Sequence, residues 1–138
     1  MFSTFNTNNM TQSETIQFLN NKKNINLEEH PDQYSSYDAF DDNYLVEIKN
    51  RTSEYKDPFL EVNKTLVNLN KVKGENKQYI YVQQDNSGVY VFNVSKLDLK
   101  KIYRRFFNVP ASTMFKNKER LNKEFWVLNK SLATIIKL

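Results

Sequence analysis

Three residues of this chain, Asp38, Glu47 and Lys49, have the types and spacing to do chemistry together. They lie in YDAFDDNYLVEIKNR, Tyr37 to Arg51, which reads as two short strands around a tight turn. Side chains alternate along a strand, so Glu47 and Lys49 share one face while Val46 and Ile48 share the other. The place of Asp38 depends on the turn. A two-residue turn at Asp42-Asn43, or a four-residue loop from Asp41 to Tyr44, sets Asp38 opposite Glu47 and on its side. A three-residue loop sets it opposite Val46 unless a bulge restores the register. In the first register Asp38, Glu47 and Lys49 form one face, and Tyr37, Ala39, Val46 and Ile48 form a core face. Two facing carboxylates repel unless a cation lies between them or one stays protonated. Carboxylate oxygens suit Mg²⁺ or Mn²⁺, ions that keep waters and take substrate phosphate oxygens. With Lys49 beside them to hold a phosphate oxygen, the chemistry is phosphodiester hydrolysis. The competing reading is a solvated hairpin face with a surface ion pair worth about 0–1 kcal/mol.

Asp38 followed by Glu47-Ile48-Lys49 resembles the D…(D/E)-x-K signature of the PD-(D/E)XK nuclease superfamily. Tyr37 stands where that signature has its proline, a position whose side chain does no chemistry. The resemblance spans Ser13 to Lys71 and continues beyond only in the order of elements. It implies a restriction-endonuclease-like fold: a mixed sheet flanked by helices, with the acids on a central hairpin. It also implies that Asp38, Glu47 and the carbonyl of Ile48 hold Mg²⁺ or Mn²⁺, that Lys49 is the catalytic lysine, and that Glu14 is an outer, water-mediated ligand. Glu14 reads equally well as a first-turn acid complementing a helix dipole. The implied activity is a DNA nuclease acting on duplex or branched DNA, as a possible homodimer. The alternative is a module that keeps the fold and binds nucleic acid without cutting.

The elements that must position these residues are legible in outline. Met1 to Thr11 is polar and expected to fray. Ser13 is expected to cap a short helix through Leu19, with Lys22 and Lys23 suiting its C-terminus. Ile25 to Glu29 is a candidate strand, and His30-Pro31-Asp32 a loop. Asp57-Pro58 signals a helix start, with Phe59, Leu60, Val62, Leu66, Val67 and Leu69 as an apolar stripe running to about Lys71. QYIYVQQDNSGVYVFNV reads as a second hairpin. Ser95 and Asp98 form a capping-box pattern opening a helix through Leu99, Ile102, Tyr103 and Phe106. Beyond Val109, Ser112 to Phe115 is a candidate strand, and Lys123 to Leu128 either strand or helix. This order predicts one α/β domain.

Other charged residues are weaker candidates. Asp41 and Asp42 suit the turn itself, and the single histidine, His30, suits a surface loop. Arg51 and Lys64 could reach a substrate phosphate. Lys100 and Arg104 would lie one turn apart on the later helix, as either a DNA-backbone contact or a solvated stripe. The 138 residues carry a formal charge of +4, which weakly favours a polyanionic partner. The absence of cysteine removes disulfides, thiolate catalysis and Cys-based zinc sites and fits a reducing, cytoplasmic compartment. The heavy use of Asn, Lys and Ile hints at the AT-rich genome of a phage or its bacterial host. Neither a signal peptide nor a membrane-spanning run is expected. Two glycines and no G-x-x-x-x-G-K leave no phosphate-cradling loop.

Overall fold

The first helix, α1 (Gln12–Lys23), begins two residues earlier than Ser13 as cap would place it. Thr11 is its cap: Thr11 Oγ1 accepts the Glu14 N–H at 3.1 Å, and Glu14 Oε1 accepts the Thr11 N–H at 3.0 Å. This reciprocal pair satisfies two donors that the helix start would otherwise orphan. Asn24 ends the helix in the left-handed region at φ 53°, which asparagine tolerates. In this computed structural model, which describes residues 10–54, 56–110 and 120–136, Met10 is 5% exposed and packed in the core. The chain is therefore anchored from Met10, earlier than the expected frayed end. The remainder of that segment, residues 1–9, and the candidate strand at Ser112 to Phe115 lie outside the described residues.

Six strands form the main sheet. In spatial order they are β1 (Glu28–Glu29), β2 (Ala39–Phe40), β3 (Tyr44–Asn50), β5 (Gln78–Asp85), β6 (Gly88–Asn93) and β9 (Thr134–Ile136). All neighbours are antiparallel except β3 and β5, which run parallel. A parallel pair needs a crossover, supplied by β4 (Phe59–Glu61) and α2 (Val62–Glu75). A second sheet has the order β4, β8 (Arg120–Val127), β7 (Arg104–Pro110). The protein is a single-domain α/β fold with two α-helices among the described residues and mixed sheets.

The main sheet is buried on both faces. Val46, Ile48, Ile80 and Val82 pack against Ile16, Phe18 and Leu19 of α1. Leu45, Tyr79, Tyr81 and Phe92 point the other way, into a core with Val62 and Val72 of α2 and Leu60 and Trp126 of the second sheet. Near-continuous apolar runs on β3 and β5 follow from this double coverage.

Two expected helices are corrected. Phe59 to Glu61 is strand, and α2 starts at Val62, despite the Asp-Pro signal. Leu60 pairs with Trp126 and is fully buried, the Leu128 N–H reaches the Pro58 carbonyl at 2.8 Å, and this sheet pairing outweighs the local preference. The buried stripe of α2 is consequently Val62, Thr65, Asn68 and Val72, leaving Leu66 and Val67 exposed. After β6 there is no α-helix among the described residues. Val94–Lys96 and Leu99–Lys101 are single 3-10 turns that lead into β7. The Ser95 hydroxyl, read as a cap, instead accepts the Tyr79 N–H at 2.8 Å. Lys123 to Val127, left open between helix and strand, is strand.

Candidate active site

The hairpin adopts the register that brings the acids together. Asp41 Oδ1 accepts the N–H groups of Asn43 and Tyr44, both at 2.8 Å, so Asp41 serves the turn. Ala39 pairs with Val46 and Phe40 with Leu45, and the next step along the strands brings Asp38 alongside Glu47. The Asp38 N–H donates to the Val46 carbonyl at 2.8 Å. Its Oδ2 accepts the Ile48 N–H at 2.6 Å, taking over where the β2–β3 ladder stops. A strand residue's N–H and C=O point toward the same neighbour, so the Ile48 carbonyl faces the Asp38 side of β3. One detail differs from the sequence reading: Tyr37 packs with Phe40 and Leu45 rather than on the Val46 face.

Glu47 is the centre of the site, and it is not a solvated hairpin residue. It is 4% exposed. Its Oε2 accepts the Tyr79 hydroxyl at 2.6 Å; its Oε1 lies 3.2 Å from Lys64 Nζ and 3.7 Å from Lys49 Nζ. Alternation on β3 and a helix crossing above the sheet place the two ammonium groups on one carboxylate oxygen. Both lysine side chains remain about one-third exposed, so the cluster has one open side.

The charges act on one another. Burial pushes the Asp38 carboxyl above its ordinary value; the Ile48 N–H works against that shift, Glu47 adds to it, and Lys49 and Lys64 oppose it. For Lys64, burial lowers the pKa, but Glu47, by charge and hydrogen bond, and then Asp38 and Glu61 raise it on balance. Burial and the neighbouring Glu47 charge hold the Tyr79 and Tyr81 hydroxyls protonated. The Arg51 side chain hydrogen-bonds Tyr81, whose hydroxyl also reaches the Phe59 carbonyl at 3.2 Å.

Of the residues singled out from sequence, the fold thus gathers Asp38, Glu47, Ile48, Lys49 and Lys64, with Arg51 alongside through Tyr81. Glu14 is not brought into this cluster. Its neighbour Thr15 receives Asn50 Nδ2 at 2.8 Å, so the start of α1 lies near the end of β3, but α1 packs on the face opposite Glu47. The Glu14 carboxylate is engaged in the helix cap. Lys100 and Arg104 do not form a helical stripe: Lys100 is exposed in a 3-10 turn, and Arg104 on β7 pairs with Glu124 and lies over the Trp126 ring. Sequence reasoning missed Tyr79 and Asn68. Tyr79 is the hydrogen-bond donor that fixes Glu47, and Asn68 exchanges hydrogen bonds with Ser36 at 2.7 and 2.8 Å beneath α2. Only the alternation of β5 hinted at Tyr79, and no local signal pointed to its partner.

The donor set fits a hard divalent ion of the Mg²⁺ type. Asp38 and Glu47 offer two carboxylates, and Ile48 offers a carbonyl facing the same side. Among the described residues no group of three or more His, Cys, Asp or Glu side chains could hold a metal. Two carboxylates are too few for a closed protein cage but suit an ion that keeps waters and shares its shell with a phosphate. No family model matches this chain, and no curated protein or solved structure matches it significantly.

Proposed function

We propose that this protein is a Mg²⁺- or Mn²⁺-dependent nuclease that hydrolyses DNA phosphodiester bonds. The observation that carries the reading is the convergence of Asp38, Lys49 and Lys64 on a buried Glu47 with one side open. A surface hairpin gains little from such an arrangement, and a buried carboxylate held by a tyrosine and two lysines is positioned for a task. The element order supports the same reading: a helix, a hairpin bearing the acids, a crossover helix, then a strand parallel to β3.

Asp38 and Glu47, with the Ile48 carbonyl, would hold the ion. When bound, it supplies Lewis acidity that makes water a competent nucleophile near neutral pH and polarises the phosphate. Lys49 binds a non-bridging phosphate oxygen and stabilises the charge that develops there. Lys64 positions Glu47 and presents a second cation to the phosphate. Tyr79 fixes the Glu47 rotamer, and Arg51 lies within reach of the adjoining backbone phosphate. The test is incubation with single-stranded, duplex, flapped and four-way DNA across Mg²⁺ and Mn²⁺. Cleavage abolished in Glu47→Ala and slowed about a hundredfold in Lys49→Ala supports the assignment; wild-type rates in either variant refute it.

A second reading has its own observation. Two lysines and a tyrosine already satisfy Glu47 without an ion, as they would in a module that binds nucleic acid and does not cut. Metal-independent binding with no cleavage of any of those substrates would select it.

A further inference from the structure

The outer face of the second sheet carries side chains that neither core absorbs. Pairing of Phe59 with Val127, Glu61 with Phe125, Arg105 with Phe125 and Phe107 with Lys123 places all of them on one face. The opposite face, through Leu60 and Trp126, enters the core. On the outer face Phe59 and Phe107 have ring centroids 4.6 Å apart, and Phe125 packs edge-on to Phe107 at 5.7 Å. The Arg105 guanidinium lies 5.0 Å from the Phe107 ring centre. A groove of about 620 Å³ opens here, bounded by Lys56, Phe59, Tyr103, Arg105 and Phe107, with Asp57 the single acid on its lining. Tyr103 at its rim is 68% exposed.

Charge identifies the occupant. Residues 99–138 contain ten Lys and Arg against two acids, whereas the first 98 contain ten against fourteen. The modest net charge of the chain therefore conceals a strongly basic C-terminal part, to which β7 and β8 belong. A protein partner of ordinary composition would match the aromatic rings but not that excess of cations. Aromatic faces interleaved with Arg and Lys on an open antiparallel sheet suit unpaired bases, which stack, and their phosphates, which the cations neutralise.

We propose that this face binds single-stranded nucleic acid, with bases stacked on Tyr103 and the Phe59–Phe107 pair and phosphates held by Lys56 and Arg105. Lys123 is paired with Glu61 on the same face. A paired duplex buries its base faces and cannot use the rings. The inference goes beyond the hydrolase reading and does not need it. Phe59 nevertheless joins the two regions, because its carbonyl receives the Tyr81 hydroxyl beneath the Glu47 cluster.

The test is fluorescence anisotropy with a labelled oligothymidine of about twenty nucleotides, against a blunt duplex of equal length, in EDTA so that nothing is cut. Preference for the single strand is expected, weakened about tenfold or more in Phe107→Leu. In Arg105→Gln the log–log salt slope should fall by about 0.7 for the lost phosphate contact. Phe107→Leu keeps apolar volume and Arg105 is exposed, so thermal melts should show both variants folded. No binding by the wild type, equal or tighter binding of duplex, or affinity unchanged in both folded variants would overturn the proposal. The outcomes separate from those of the hydrolase reading: Mg²⁺-dependent cleavage without single-strand binding defeats only this inference, and binding without cleavage defeats only the hydrolase.

Discussion

The sheet that carries Glu47 and the sheet that carries Phe107 both mix acids, cations and aromatic rings, but they hold them in opposite ways. Around Glu47 the rings are buried, the carboxylate is buried, and every polar atom of that carboxylate has a named partner. Along β7 Arg104 and Arg105 are open to solvent, and Phe106 and the preceding Tyr103 are about two-thirds exposed. Burial makes each charge interaction strong and each geometry narrow, because the low dielectric penalises any unpaired group. Exposure makes interactions weak singly and tolerant of many partners. The first arrangement suits a reaction centre; the second suits a binding surface read by sum rather than by individual bonds.

The comparison can be broken most severely at Glu47. Glu47→Ala is expected to abolish metal-dependent cleavage. It should also destabilise the fold by about 3 kcal/mol, since the Tyr79 hydroxyl and two ammonium groups lose their acceptor. Glu47→Gln should lose cleavage equally while recovering part of that stability, because its amide oxygen can still accept from Tyr79. Urea denaturation alongside cleavage assays would separate the two effects. Equal stability of wild type and Glu47→Ala would contradict the buried network.

Inside the second sheet the contrast is between two positions on one face, Leu60 on covered β4 and Phe106 on the edge strand β7. Leu60→Ala removes a fully buried side chain and should cost about 2–5 kcal/mol. Phe106→Ala, at a 64% exposed position on the same sheet, should change stability by no more than about 0.5 kcal/mol. Similar losses from both would show that the burial of Leu60 or the exposure of Phe106 is wrong.

Lys49→Ala and Lys64→Ala sharpen the comparison within the cluster. Both side chains are about one-third exposed, so solvent screening keeps their stability effects near 1 kcal/mol or less. Their kinetic effects should differ. Lys49→Ala is expected to lower kcat by about a hundredfold through lost transition-state charge stabilisation, and Lys64→Ala to act less, through Glu47. Single-turnover cleavage at saturating protein would measure this split.

The subtlest expectation concerns pH. The folded Asp38 pKa is raised, so the native state holds a proton more tightly than the unfolded chain does. Its favourable contribution is full below the unfolded value of about 3.9 and is lost as pH rises through the folded value. Above that window the ionised Asp38 is therefore a strain on the fold. Asp38→Asn should flatten the pH dependence across that window, leave neutral-pH stability equal or higher, and eliminate cleavage. A steep loss of stability at neutral pH in Asp38→Asn would show that the Ile48 hydrogen bond outweighs burial.

The features legible in the sequence were those set by near neighbours. The Asp38–Glu47 register followed from one turn and strict alternation, since Asp41 closes its own loop through its side chain. The β5–β6 hairpin was equally local. The failures share another cause. Asp57-Pro58 and Ser95…Asp98 are sound helix signals, yet Leu60 was claimed by Trp126 and the Ser95 hydroxyl by the Tyr79 N–H. Lys64 could be flagged as a cation, but not as the partner of Glu47.

By itself the sequence determined which side chains share a strand face, where the chain turns, and that two acids and a lysine would stand together on one hairpin if the turn held two or four residues. These are consequences of alternation and turn chemistry over a few residues. Only the tertiary structure decided that this face is buried, that α2 delivers Lys64 and β5 delivers Tyr79 to Glu47, and that the basic C-terminal part forms an open aromatic sheet. Those outcomes depend on pairing between residues far apart in the chain, where burial of apolar surface and cross-strand hydrogen bonds outweigh any local preference.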